Sequence, residues 1–488
     1  MKRIGLMILL MMTVVVHAQN PKREFRGVWL QTVYQSQYAR QSTAENKKYL
    51  SELLDRLQEA GINAVIFQVR PSADAFYESE IEPWSRFLTG TAGKAPQPMW
   101  DPLAFMVEEC HSRGMELHAW LNPYRVTTSK NEKLPRGHIY YKHPERFVTY
   151  DGKVYFDPGI PENRKYIARV VDDIVSRYDV DAIHFDDYFY PYPVAKRQFP
   201  DDKSYKKYGK GIARDDWRRR NVDMLVEEVH ETIAKRKPWV RFGISPFGIW
   251  RNKVNDRRGS ETSGMENYSA LYADVLQWSE HGWVDYMMPQ VYWEIENKRA
   301  SYSILVDWCD KNANDRLMII GQDVERTMKY ADIAPSTEAT QLRHKMNLAR
   351  EHPTIQGSCW WWGYIFADNH AGIVDSLAGE FYSTYALPPA YPWISDKSPK
   401  AVEKLKYKDN LLSWKEPKKH GKTTDVVKYV VYYFPDGIEV DIEQSDAIIA
   451  ITTECSFDLD EPLPGVYMVT AVDRVNNESE PKKIRIDK

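Results

Sequence analysis

The sequence predicts a (β/α)8 barrel followed by a small all-β sandwich. Apolar runs of strand length alternate with amphipathic helical runs between residues 25 and 385, eight of each. The alternation then stops at Pro388-Pro389-Ala390-Tyr391-Pro392, beyond which only short strand-like runs follow. Strict alternation builds a parallel sheet from βαβ units, and eight units are the number that closes a barrel. A doubly wound open sheet can give the same alternation. No glycine-rich phosphate loop follows the first strand, however, which weakens a nucleotide-binding open sheet.

The first strand is Phe25–Val33. From Thr43 a helical pattern places Leu50, Leu53, Leu54 and Leu57 on one face and stops at Gly61. Strand two is Ala64–Arg70, the next helix Pro102–Arg113, and strand three Glu116–Tyr124. Pro161, suited to a first helical turn, opens a helix to Tyr178, and strand four is Asp181–Tyr188. Helices Asp215–Lys235, Tyr268–His281, Tyr302–Asn312, Thr337–Glu351 and Gly372–Tyr385 alternate with strands Arg241–Phe247, Asp285–Trp293, Leu317–Asp323 and Ile355–Tyr364. The segments after strands two to four are long and rich in Pro, Tyr, Trp and charge, and the one after strand five is also long. On this fold the active site lies at that end of the strands.

Residues 19–390 are therefore read as the barrel and 391–488 as the sandwich. The sandwich strands are marked by Leu411-Leu412-Ser413-Trp414, Val426–Phe434, Ala447–Thr452 and Gly465–Asp473, with turn residues such as Pro435-Asp436-Gly437 between them. Trp414 early and Tyr467–Asp473 late resemble a fibronectin type III module. It shows no catalytic constellation, so attachment or spacing is its expected role.

Residues 1–18 read as a secretory signal peptide. Lys2 and Arg3 precede an apolar run from Ile4 to Val16, and Ala18 offers a small-residue cleavage site. The run is too short for a comfortable membrane span, and no cysteine follows it closely. An exported chain, periplasmic or secreted and without a membrane span, is the expectation. A formal net charge of -3 argues against a general nucleic-acid binder. The 16 Trp and 31 Tyr tilt the reading towards a carbohydrate partner, though cores are aromatic too. Cys110, Cys309, Cys359 and Cys455 are widely spaced and are read as free thiols. No metal or cofactor is expected.

Strand four carries the strongest chemical signal. It runs Val180-Asp181-Ala182-Ile183-His184-Phe185-Asp186-Asp187-Tyr188 into Phe189-Tyr190-Pro191-Tyr192-Pro193, so two adjacent carboxylates meet a cluster of aromatics at a strand tip. Carboxylates supply the acid, base or nucleophile of glycoside cleavage, and rings stack on sugar faces. Capping and corner packing would explain the same residues without chemistry. Period-two alternation sends His184, Asp186 and Tyr188 towards the barrel mouth and Ile183, Phe185 and Asp187 towards the helices. Asp186 is thus the first candidate catalytic carboxylate, with Asp187 in support. His184 orients Asp186 or is a satisfied core histidine.

The same parity turns Gln68 and Arg70 inward on strand two, and His118, Trp120, Asn122 and Tyr124 on strand three. On strand six it turns Gln290 and Tyr292 inward with Met288. Amides, an arginine and phenols aimed at one mouth can hydrogen-bond sugar hydroxyls or an acetamido group. Arg70, Asn122, Tyr124, His184, Tyr188, Gln290, Tyr292, Trp293, Trp361 and Asp323 form the candidate substrate-binding set. Glu162 is the candidate second carboxylate, although an acid in a first helical turn also suits the helix dipole. Asp323 and Glu294, at strand ends, compete for that role.

Phe25-Arg26-Gly27-Val28-Trp29, Gln68-Val69-Arg70, Trp120-Leu121-Asn122-Pro123-Tyr124-Arg125, Asp157-Pro158-Gly159, His184–Tyr188 and Ser245-Pro246-Phe247-Gly248 together resemble the glycosyl-hydrolase-like 10 family of bacterial exported proteins. The likeness covers roughly residues 22–390. It implies a (β/α)8 barrel. An enterobacterial member that cuts denuded peptidoglycan strands implies a peptidoglycan glycosidase. Strand four also looks loosely like that of chitinase-type barrels, but Tyr188 stands where their catalytic glutamate falls and His184 where a middle acid falls. That departure argues against a chitinase-type substrate-assisted mechanism. The expectation is an exported glycosidase of a bacterial glycan, retaining or inverting. Its alternatives are a non-catalytic glycan-binding barrel and a hydrolase of a dietary or host polysaccharide.

Overall fold

The computed structural model describes residues 20–329, 340–418, 421 and 423–487. The expected leader and the Thr337 start of the seventh helix lie outside the described residues. Eight parallel strands close a barrel: β1 (Phe25–Leu30), β2 (Ala64–Arg70), β3 (Glu116–Leu121), β6 (Ala182–Phe185), β7 (Arg241–Ile244), β8 (Tyr286–Met287), β9 (Leu317–Asp323) and β10 (Ile355–Trp361). All eight expected strands are present, most of them shorter than the sequence pattern. The third crossover also carries a hairpin, β4 (Phe147–Tyr150) with β5 (Lys153–Phe156).

Alternation sorts the strand residues into two apolar layers. Val28, Val65, Leu117, Ile183, Phe242 and Ile320 face outward and pack with the helices, including Leu50, Leu53 and Leu57 of helix Thr43–Glu59. That helix opens with a full capping box between Ser42 and Glu45. Phe25, Trp29, Ile66, Trp120, Tyr286 and Ile319 face inward and fill the barrel. Gly243 permits this filling, since a Cβ there would lie 1.9 Å from the Tyr286 ring.

Two expected helices are broken. Tyr268–His281 becomes a π-helical turn, Asn267–Leu271, and a short helix, Val275–Glu280. Tyr272 between them has φ 55°, in the left-handed region that a right-handed helix does not accommodate. Gly372–Tyr385 resolves into helix Ile373–Ser376 and a second π turn, Leu377–Phe381. No cysteine is disulfide-bonded, and three of the four are buried.

The C-terminal domain is all-β. β11 (Glu403–Lys408), β12 (Leu411–Lys415) and β15 (Ser456–Asp458) form one antiparallel sheet. β14 (Ile448–Thr452), β13 (Val426–Pro435), β16 (Gly465–Asp473) and β17 (Lys482–Ile486) form the other. Leu412, Trp414, Tyr429, Val431, Val469 and Ala471 make their shared core.

This domain is docked on the N-terminal face of the barrel, away from the mouth. After β16 the chain turns so that Val475 is fully buried in the barrel's inner cluster. Asn476 donates to Glu116 Oε1 at 2.8 Å, and Arg241 donates to the Arg474 carbonyl at 2.7 Å. Trp393, ahead of the domain, donates to Asp285 at 2.8 Å.

Candidate active site

A cavity of about 320 Å3 opens at the C-terminal ends of the barrel strands, and its lining draws on β1, β2, β3, β6, β7, β8 and β10 or the segments that follow them. Asp186 and Asp187, immediately after β6, both line it. Asp186 Oδ2 accepts from Asn122 Nδ2 at 2.6 Å and from the Trp120 indole N–H at 3.1 Å. Its Oδ1 accepts the Tyr188 backbone N–H at 3.2 Å. Asp187 accepts from the Tyr192 hydroxyl and is hydrogen-bonded by the Gln290 side chain.

Both carboxyls are almost fully buried, and burial raises both pKa values. Arg125 and the donors on Asp186 oppose that rise. Asp187 is pushed up to about 7, by burial first and by the charge of Asp186 second. Two carboxyls this close titrate as a pair. The Arg125 charge favours the anion on Asp186, and the charge of Asp186 favours the proton on Asp187, so the proton the pair retains is assigned to Asp187.

Aromatic rings wall the cavity. Trp29, Trp120, Trp361, Tyr188, Tyr192 and Tyr292 all line it. Trp361 meets Trp120 edge-on with centroids 6.4 Å apart, and Trp29 meets Tyr292 likewise at 6.4 Å. Arg125 lies 5.3 Å over the Tyr188 ring. Gln68 lines the same wall, and its Oε1 accepts the Thr32 and Val33 backbone N–H groups at 2.9 Å each.

A hydrogen-bonded chain runs from the cavity floor down the barrel axis. Indole N–H groups only donate, so Trp29, 3.3 Å from His184 Nε2, requires a lone pair there. Burial holds the His184 pKa well below its ordinary value, so the ring is neutral and its proton sits on Nδ1. Nδ1–H donates to the Tyr286 oxygen at 3.0 Å, which in turn donates to His118 Nδ1 at 2.8 Å. His118 Nε2–H then donates to Glu116 at 3.0 Å. Ser245, which lines the cavity, donates to His184 Nε2 at 2.9 Å. One end of the barrel thereby fixes donor directions at the other.

The structure distributes the candidate residues unevenly. Asp186, Asp187, Tyr188, Gln290, Tyr292 and Trp361 share the cavity. Asn122 and His184 are fully buried and lie behind it, the first bonded to Asp186 and the second to Ser245. Arg70 does not face the mouth. A register shift between Gln68 and Arg70 breaks the period-two pattern. The guanidinium instead forks onto Glu82 at 2.7 Å twice and donates to the Asn122 and Pro123 carbonyls at 2.6 and 3.0 Å. Tyr124 lies beyond the end of β3, where strand parity no longer holds, and is buried in the outer layer. Trp293 packs on Phe247 with ring centroids 5.4 Å apart. Asp323 accepts the Arg326 backbone N–H at 2.8 Å, at the start of helix Val324–Lys329.

Glu162 does not line the cavity. It is solvent-exposed in the first turn of helix Pro161–Arg177, where free N–H groups favour an acid. Among the described residues, Asp186 and Asp187 are the carboxylates lining the cavity. Several cavity residues stood outside the candidate set: Trp29, Gln31, Val33, Tyr34, Gln68, Trp120, Arg125, Tyr192 and Ser245. Gln68 and Trp120 were visible through strand parity. Tyr34 and Tyr192 come from loops, where no period operates.

A closed (β/α)8 barrel with a buried carboxylate pair in an aromatic cavity at its strand ends has the architecture of a glycoside hydrolase. Residues 24–331 match the family described as glycosyl hydrolase-like 10. The chain is 39% identical over 482 residues to glycosyl hydrolase YngK of Bacillus subtilis (strain 168), covering 94% of this chain and 93% of that one. It is 39% identical over 311 residues to glycosyl hydrolase DigH of Escherichia coli (strain K12), covering 59% of this chain and 70% of the relative. The chain belongs to the glycosyl hydrolase-like 10 family, and with it to the glycoside hydrolases. Among solved structures, α-L-fucosidase isoenzyme 2 from Paenibacillus thiaminolyticus aligns at a TM-score of 0.46 and 12% identity, over 74% of this chain and 49% of that one.

Proposed function

We propose that the chain hydrolyses glycosidic bonds in the glycan strands of peptidoglycan, after export, with Asp187 as general acid and Asp186 as its ionised partner. The observation that carries this is the pair itself. Two buried carboxyls share one aromatic cavity, and their environments separate their proton affinities. Environments that pull two acids apart in this way assign the acid and the anion. An acid with a pKa of about 7 keeps a usable proton at neutral pH and still gives it up to a leaving oxygen. The aromatic walls suit the apolar faces of sugar rings.

Peptidoglycan is favoured by the family resemblance, and export by the leader-like residues 1–18. Among the described residues, no helix is long and apolar enough to cross a membrane. The test uses purified wild type, Asp186→Asn and Asp187→Asn on amidase-stripped peptidoglycan, with released fragments measured by mass spectrometry. Wild type is expected to release oligosaccharides, and each variant to fall at least about a hundredfold, the scale of general acid-base catalysis. Equal release by all three removes the pair from the reaction.

A further inference from the structure

Asp186 and Asp187 are consecutive, so their Cα atoms are about 3.8 Å apart, and both side chains line one cavity. Hydrolysis by two carboxylates alone needs them on either side of the scissile bond, about 5–5.5 Å apart for a covalent intermediate or about 6.5–9.5 Å for an interposed water. A pair delivered by adjacent residues of one strand end approaches the sugar from one side. It can protonate a leaving oxygen and hold a neighbouring group, but it does not bracket the anomeric carbon.

We propose that the sugar at this site carries a 2-acetamido group whose carbonyl oxygen attacks the anomeric carbon, with Asp186 receiving the acetamido N–H and Asp187 protonating the departing oxygen. This rests on the glycosidase reading above. Asp186 is built as an acceptor. Asn122 and Trp120 fix its Oδ2, while Oδ1 takes one backbone N–H at 3.2 Å and keeps capacity for another donor. The indoles of Trp29, Trp120 and Trp361 line the same space and suit the acetamido methyl. This scheme asks nothing of Tyr188 as an acid, so the departure there does not exclude it.

In the first step the acetamido carbonyl oxygen bonds to C1 as the bond from C1 to the glycosidic oxygen breaks. That oxygen takes the proton of Asp187, and Asp186 stabilises or accepts the acetamido proton, leaving an oxazoline fused to the sugar. In the second step water adds to C1 and gives its proton to the Asp187 carboxylate. The bond from C1 to the carbonyl oxygen breaks, and Asp186 returns any proton it took. The acetamido group is restored, and the new hemiacetal has the configuration of the bond that was cut.

Amidase-stripped strands, de-N-acetylated and then re-acylated with either acetyl or trifluoroacetyl groups, test this directly. Fluorine leaves the shape nearly unchanged and strongly lowers the carbonyl's nucleophilicity. For the full-length wild-type chain, kcat on trifluoroacetylated strands is expected to fall at least 50-fold with KM within about threefold, and the first-formed anomer is expected to be the retained one. Comparable kcat on both strands, or an inverted first product, overturns the proposal and leaves the glycosidase reading intact. No cleavage of native or re-acetylated strands overturns the peptidoglycan reading on which the proposal rests.

Discussion

Asn476, in the turn that follows β16, donates its side-chain amide to Glu116 at 2.8 Å across 360 positions of sequence. Glu116 also holds Arg241 at 2.6 Å and accepts from His118 at 3.0 Å. The C-terminal domain therefore completes the barrel floor rather than hanging from it as a spacer. Asn476→Ala is expected to lower stability by about 1–3 kcal/mol, because Glu116 loses a buried partner. Truncation after Ser395 removes Val475 from the inner cluster as well, and should lower Tm further or yield insoluble chain. Scanning calorimetry of the full chain and both variants checks this, and an unchanged Tm for the truncated barrel would count against an integral floor.

The axial chain from Glu116 to Ser245 gives a second expectation. Tyr286→Phe removes the one hydroxyl that links the two imidazoles, leaving a His184 N–H and a His118 lone pair unmet in a buried site. Each unmet buried group costs about 1–3 kcal/mol. Chemical denaturation should show that loss. The 15N shifts of His184 should also show a change from the Nδ1-protonated tautomer, which a purely steric defect would not produce.

How far the sequence reaches is set by where periodicity operates. The eight strands and the inward sets His184 with Asp186 and Gln290 with Tyr292 follow from period two, because regular strands enforce it. Arg70 is misplaced by the same rule because a register shift precedes it, and composition does not encode that shift. Tyr124 and Glu162 lie outside any strand, and Tyr192 reaches Asp187 from a loop. The candidate half-site was legible as adjacent acids at a strand end. The pairing of Asp186 with Asp187 rather than Glu162 needed the cavity.

Arg70 separates a structural role from a binding one. Its side chain is fully buried against Glu82, and removing one partner of such a pair costs about 3–5 kcal/mol. Arg70→Ala is thus expected to be markedly destabilised. Where it folds, its kcat should fall through displacement of the β3 end that carries Asn122. A stable Arg70→Ala protein with only KM raised would restore the substrate-binding reading.

Trp361 belongs to the cavity wall and makes no hydrogen bond to the carboxylate pair. Trp361→Ala should therefore weaken substrate binding by about 1–3 kcal/mol, a rise in KM of roughly 5- to 150-fold, on the scale of a buried aromatic contact. Trp120→Phe keeps a ring but removes a donor to Asp186. Its loss should appear in kcat, by about 10- to 100-fold for a hydrogen bond to a charged group. Steady-state kinetics on stripped glycan strands distinguishes the two patterns.

The pH profile follows from Asp187. As general acid it must be protonated, so kcat/KM should fall as pH rises through about 7. The Tyr192 hydroxyl donates to the carboxylate and lowers that pKa. Tyr192→Phe should therefore move the alkaline limb upward by about one pH unit, since a charge-assisted hydrogen bond is worth roughly 1.5–3 kcal/mol and one unit is about 1.4 kcal/mol. Stability carries the same sign. The folded chain keeps a proton on Asp187 that the unfolded chain releases near pH 4, so this contribution is complete below about 4 and is lost as pH rises through about 7. Asp187→Asn should flatten that decline. Rate profiles and urea midpoints at matched pH values report the two effects separately. A downward shift of the alkaline limb in Tyr192→Phe would mean that the titrating acid is not Asp187.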